Sequence, residues 1–105
     1  MTRVRPADLQ KGHFEDVLIL KVEERRFAVC RTPLGYFVVH DCCPHRRVQL
    51  TRWGRLKEPA IVQCTAHGCQ FDLKTGERSD SSGQGCLRLD LVHVDTDEDE
   101  LILEL

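Results

Sequence analysis

Aromatic residues make up only 6% of this chain, and no apolar run approaches the length of a membrane span. So few aromatics leave little to stack nucleic-acid bases on, and a formal net charge of -2 supplies no long-range attraction for nucleic acid or an anionic membrane. The longest apolar run near the front, VLIL at 17–20, falls far short of the roughly 20 apolar residues of a spanning helix. The opening MTRVRPADLQKGHF has basic side chains but no apolar core of the kind a secretory signal needs. Val4 also separates Arg3 from Arg5, so there is no twin arginine. These absences predict a cytoplasmic protein with neither nucleic acid nor a membrane as partner. Thiols stay reduced in that compartment.

Sustained helical periodicity and internal repeats are also missing. What remains is a series of short apolar runs broken by turn signals, which predicts many short strands and an all-β sandwich or barrel. VLILKVEE (17–24), FAVC (27–30), YFVVH (36–40), IVQC (61–64), QFDL (70–73), LRLDLVHV (87–94) and LILEL (101–105) read as strands. EERR (23–26), TPLG (32–35), KTGE (74–77) and the acidic run DTDEDE (95–100) read as turns, and SDSSGQG (79–85) as a polar loop too short to link domains. Leu87, Leu89 and Leu91 alternate as in a half-buried strand. One helical turn is expected within PADLQKG (6–12), between Pro6 and Gly12. The length of 105 residues suits one domain, spanning 1–105.

Six cysteines lie below the density of about 8–10% that marks a disulfide scaffold. In a reducing compartment, Cys clustered with His points first to metal. The two groups that matter are CPH at 43–45 and CTAH at 64–67, each supplying one thiolate and one imidazole. Both follow an apolar strand, so both should emerge as loops at strand ends. Two Cys and two His hold either a tetrahedral zinc or an iron–sulfur centre. Zinc fingers group their Cys together and their His together, whereas here each loop is mixed. In a two-iron cluster the mixture has a rationale, because each loop gives its Cys to one iron and its His to the other.

On these residues the sequence closely resembles the Rieske family, whose pattern is C-x-H, a spacer, then C-x-x-H. The spacer here, residues 46–63, is slightly longer than usual. The resemblance extends through HGCQFDLKTGE (67–77), with its glycine after the second His and its FD-x-x-TG tail. It implies a Rieske-type antiparallel β-sandwich or barrel with a small cluster-binding subdomain formed by two loops, at about 41–50 and 64–71. It also implies one [2Fe–2S] cluster, with Cys43 and Cys64 on one iron and His45 and His67 on the other. Replacing two thiolates of an all-Cys site by neutral imidazoles makes the site less negative, so an electron is easier to add. Potentials in the class run from about -150 to +300 mV.

High-potential members of the family place a Ser and a Tyr, two and four positions after the second His, as hydrogen-bond donors toward the cluster sulfurs. Cys69 and Phe71 stand there in this chain; a thiol donates weakly and a phenyl ring not at all. The same members join their two loops by a disulfide, at positions matched here by Val48 and Ala66. Both departures resemble the soluble, low-potential ferredoxin branch found in bacterial ring-hydroxylating dioxygenase systems. By that resemblance Cys86, after the polar loop, packs near the cluster without binding it.

Among the remaining candidates, Cys30 sits in a strand pattern and reads as a small buried hydrophobe. Cys69 reads either as a weak donor or as a small space-filling residue. His13, His40 and His93 read as ordinary surface or strand residues. Arg46, Arg47, Arg52 and Arg55 crowd the segment after the first ligand pair, as a solvated face or as a positive collar for a redox partner. Trp53 suits either the core or a contact beside the cluster. Of the adjacent Cys42 and Cys43, the C-x-H spacing selects Cys43; Cys42, pointing the other way, is expected in the packing beneath the loop.

The resemblance implies a soluble carrier that takes single electrons from a flavin-dependent ferredoxin reductase and delivers them to a terminal oxygenase or another redox enzyme. It would catalyse no substrate chemistry itself. Small carriers dissociate between partners, so a monomer is expected. A Rieske oxygenase would need a further mononuclear-iron domain, and residues 68–105 contain a single histidine, His93. The alternatives are a small Rieske subunit of a larger reductase, such as assimilatory nitrite reductase, and a structural zinc domain.

Overall fold

The computed structural model describes residues 2–43, 48–66, 68–79, 89–97 and 99–104. In chain order these form β1 (Thr2–Val4), a single 3-10 turn (Pro6–Asp8), β2 (Gln10–Lys11), β3 (Val17–Val22), β4 (Arg25–Thr32) and β5 (Gly35–His40). There follow a one-turn helix α1 (Leu50–Trp53), β6 (Gly54–Lys57), β7 (Ile61–Cys64), β8 (Gln70–Asp72), β9 (Leu91–Val92), β10 (Val94–Asp97) and β11 (Glu100–Leu103). Every strand pairing is antiparallel. The strands form three sheets, ordered β2-β3-β4-β5-β9, β1-β11-β10 and β6-β7-β8. The all-β expectation holds.

The five-stranded sheet is the middle layer, and both of its faces are covered. Val17, Ala28, Cys30 and Val39 point to one side, into a core shared with Leu50, Val62, Phe71 and Leu73 from α1 and the β6-β7-β8 unit. Leu18, Leu20, Phe27, Val29 and Val38 point to the other, where they meet Leu101 and Leu103 of β11. This double coverage explains why VLIL and FAVC are continuously apolar; a strand with one wet face would alternate. The wholly buried core residues also exclude a register slip, which would exchange the two faces.

Several turns differ from the sequence reading in extent. The β3–β4 ladder continues to Val22 opposite Arg25, so the turn is Glu23–Glu24 and not the whole of 23–26. Glu23 takes a φ of 56° to close it, as two-residue hairpins require. Arg26 therefore lies in a strand, two positions before Ala28 and on the same face. The next hairpin turns at Pro33–Leu34, with the Thr32 hydroxyl donating to the Gly35 carbonyl at 2.7 Å. KTGE is a turn, held by Lys74 N–H donating to Asp72 Oδ1 at 2.8 Å and Gly76 N–H to the Asp72 carbonyl at 2.6 Å.

Two strand expectations are corrected. Leu87 and Arg88 lie outside the described residues, and the rest of LRLDLVHV is not one strand: Leu91–Val92 pair with β5, and from Val94 the chain pairs with β11 in another sheet. Leu89 is buried, but Leu91, paired with Val39 in the two-residue edge strand β9, is exposed. The acidic run is likewise not all turn, since Asp95, Thr96 and Asp97 lie in β10. The helical turn expected over 6–12 is confined to Pro6–Asp8, with Asp8 N–H bonded to the Arg5 carbonyl at 2.9 Å. Gly12 ends no helix. It follows β2, where a Cβ would stand 2.2 Å from the Thr51 carbonyl oxygen, and only glycine tolerates that approach.

Candidate metal centre

The two motif-bearing loops leave neighbouring parts of one core. The first leaves β5 at Asp41 and runs to α1; the second joins β7 to β8. Cys43 is fully buried, and its N–H donates to the Val48 carbonyl at 2.8 Å. Cys64 is also fully buried, and its N–H donates to the Cys69 carbonyl at 2.8 Å. The Cys64 carbonyl in turn accepts the Gly68 N–H at 2.7 Å, a tight closure for which Gly68 adopts a φ of +82°. Cys43, Cys64 and Cys69 all belong to the buried cluster that contains Leu50, Val62 and Phe71, and Val48 and Ala66 pack against it. His45, His67, Arg46, Arg47 and Cys86 lie outside the described residues. The described donors suit an iron–sulfur group: two soft thiols offered from two loops into an apolar surrounding that excludes water.

The first loop is anchored by a network that the sequence reading missed. The Asp41 side chain has no exposed surface and accepts three hydrogen bonds. They come from Arg26 Nε at 2.6 Å, Thr51 N–H at 2.7 Å and the Thr51 hydroxyl at 2.7 Å. Arg26 Nη2 also reaches Thr51 Oγ1 at 3.1 Å. A buried carboxylate is costly unless it is paired and hydrogen-bonded, and here it is both. The result ties β4, the start of the first loop and α1 together two residues before Cys43. The partners stand 15 and 10 positions from Asp41 in the chain, so no local pattern marks them.

Helix α1 also holds the second loop. The Trp53 carbonyl accepts both the N–H and the hydroxyl of Thr65, each at 2.8 Å, and Thr65 directly follows Cys64. On its other side α1 receives the His13 N–H at the Thr51 carbonyl, at 2.8 Å. One turn of helix thus fixes the relative placement of the two cysteine loops.

The remaining cysteines and histidines divide clearly. Cys30 is a buried core residue as expected, and burial first, with Asp41 nearby, pushes its thiol pKa up to about 12. The expectation for Cys42 is corrected: it is exposed, not packed beneath the loop, and its thiol lies 3.8 Å from the Cys43 carbonyl. The alternation that turns Cys43 inward here turns its neighbour to solvent. His13 is exposed, edge-on to Phe14, and His93 is exposed 3.5 Å from Asp95. His40 packs against Phe27 with ring centroids 4.9 Å apart. Trp53 is on the surface, with the Arg52 guanidinium 5.3 Å from its ring centroid. Arg55 is exposed on β6.

Comparison with known proteins gives this arrangement its class. The family model for the Rieske [2Fe-2S] domain matches residues 3–89, and the chain belongs to that family. As a member it takes one Rieske-type [2Fe–2S] cluster.

Three solved structures are similar over nearly their whole length. The ferredoxin of carbazole 1,9a-dioxygenase from Nocardioides aromaticivorans IC177 is 21% identical with a TM-score of 0.74, over 98% of this chain and 97% of that one. A ferredoxin solved in complex of reduced oxygenase and oxidized ferredoxin in carbazole 1,9a-dioxygenase is 25% identical with a TM-score of 0.74, over 98% and 100%. A putative nitrite reductase NADPH (small subunit) is 19% identical with a TM-score of 0.73, over 100% of both chains. No curated protein sequence matches significantly.

Proposed function

We propose that this chain is a single-domain, soluble Rieske ferredoxin, with Cys43 and Cys64 holding one iron of the cluster and His45 and His67 the other. The observation that carries the ligand assignment is the placement of Cys43 and Cys64. Both are wholly buried in one apolar cluster, and the N–H of each makes a main-chain hydrogen bond. The cluster supplies one-electron storage. The protein's part is to hold the thiols rigidly and keep water from them, through the Asp41–Thr51 and Trp53–Thr65 ties. Rigid ligands reduce the rearrangement that accompanies each electron.

The electron donor in this reading is a flavin-dependent reductase and the acceptor a terminal oxygenase, with all of them in the cytoplasm. The oxygenase is supported by the complex in which a similar ferredoxin was solved. Phe71 is fully buried and lacks a hydroxyl, and Cys69 is 2% exposed with only a thiol to offer. These two residues support a potential in the lower part of the class range.

The test is single-turnover transfer: reduction by a flavoprotein reductase, then reoxidation on mixing with an oxygenase. The full-length likeness to a nitrite reductase small subunit supports a second reading, a subunit of a larger reductase. Stable co-purification with a large reductase would select that second reading, and turnover with separable partners the first.

A further inference from the structure

The net charge of -2 conceals an uneven distribution of charge. The β1-β11-β10 sheet, on one side of the middle layer, carries exposed Asp95, Asp97, Asp99 and Glu104, with Arg3 and Arg5 paired to Asp97 and Glu100 at 3.7–3.8 Å. The opposite side is different. There a groove of about 380 Å³ runs between α1 and the segment that follows β2, lined by Lys11, His13, Arg26, Arg52 and Trp53 among others. Arg26 is neutralised by Asp41. Lys11 and Arg52 are exposed, and among the described residues neither has a carboxylate within ion-pair distance; the same is true of Arg55 and Lys57 along β6.

The groove is also tied to both cysteine loops through α1. Its floor is α1, which is tied to the first cysteine loop through Thr51 and Asp41 and to the second through Trp53 and Thr65. Its far wall is held to the same helix by the His13 N–H. Trp53, 36% exposed beneath the Arg52 guanidinium, adds an amphipathic surface of the kind that anchors interfaces.

We propose that this groove is the docking surface for the redox partner, and that the partner presents a carboxylate-rich face to it. The proposal rests on the electron-carrier reading and adds the chemistry of the contact. Lys11 and Arg52 receive acidic side chains, Trp53 packs at the centre, and the acidic β10–β11 end is held away from the partner by repulsion. An overall acidic carrier therefore approaches an acidic surface with its basic side forward, oriented by its own dipole.

The test uses the cluster-loaded protein on gold electrodes coated with carboxylate-terminated or ammonium-terminated monolayers, as defined surrogates for the two signs of partner face. Interfacial electron exchange should be about ten-fold or more faster on the carboxylate surface and should fall as salt is raised. The double variant Lys11→Glu/Arg52→Glu should lose the preference, whereas Arg3→Glu/Arg5→Glu, which changes charge equally at the acidic end, should keep it. Equal rates on both surfaces, or an unchanged preference in Lys11→Glu/Arg52→Glu, would overturn the docking surface. Visible bands that bleach with dithionite, read on the same samples, report the cluster independently. Bands present without surface preference overturn the docking proposal alone, and bands absent overturn the carrier reading beneath it.

Discussion

The Asp41 carboxylate and Thr51 are joined twice, by the Thr51 N–H and by its hydroxyl, each at 2.7 Å, in the interior two chain positions before Cys43. Thr51→Val keeps the shape and the N–H bond but removes the hydroxyl donor. Loss of a hydrogen bond to a buried charge should destabilise the protein by about 1.5–3 kcal/mol. Urea unfolding of the loaded protein measures this, and cluster loss on incubation should quicken in the same variant because the first loop is less firmly held.

Gly12 and Gly68 should respond differently to alanine. At Gly12 the new methyl would meet the Thr51 carbonyl oxygen at 2.2 Å, so backbone must move and both loop ties are disturbed. At Gly68 the methyl meets nothing within 4 Å among the described residues, and the φ of +82° opposes it, at a cost of about 1 kcal/mol. Thermal unfolding should show Gly12→Ala clearly the less stable of the two.

Cys30 makes stability depend on alkaline pH. Its thiol is held neutral in the fold, with a pKa raised from 9.0 to about 12. The unfolded chain loses that proton first, so the contribution is fully present below pH 9 and is lost as pH rises toward 12. The slope in this window is about 1.4 kcal/mol per pH unit. Denaturant unfolding at pH 9 to 11 should show a shallower decline in Cys30→Ala than in the parent protein. At pH 8 iodoacetamide should label exposed Cys42 and leave Cys30 unmodified.

On the proposed ligand set, adding hydrogen-bond donors at positions 69 and 71 should raise the cluster's potential. Cys69→Ser and Phe71→Tyr place hydroxyls where a thiol and a phenyl ring now stand, both at buried positions. A donor worth about 1 kcal/mol more to the reduced state shifts a one-electron potential by on the order of 50 mV. A redox titration followed by visible absorbance reads the change directly.

The fold was legible where chemistry is local. Alternation, turn dipeptides and continuous apolar runs located β3, β4 and β5 of the middle sheet, because a strand covered on both faces has no alternative to being apolar. The break at His93 was not legible, since LRLDLVHV keeps its period of two while the chain changes partners. β1, β2, β6 and α1 are short, and pairing and packing define them more than their own residues do. At the site, the C-x-H and C-x-x-H spacing singled out Cys43 and Cys64, which the structure buries in one apolar cluster. The Asp41, Arg26 and Thr51 network could not, because its members are far apart in sequence and are brought together only by the β4–β5 ladder and α1.

Pulsed EPR of the dithionite-reduced protein, prepared with ¹⁵N-histidine, distinguishes a cluster held by two cysteines and two histidines from any other ligand set. An iron–sulfur signal coupled to two histidine nitrogens is the expected result. That coupling should change on replacing His45 or His67 by Cys, the signal should be lost or badly weakened in Cys43→Ser, and Cys42→Ser should leave it intact. A colourless protein with stoichiometric zinc, or a cluster signal without histidine nitrogen coupling, would contradict that ligand set.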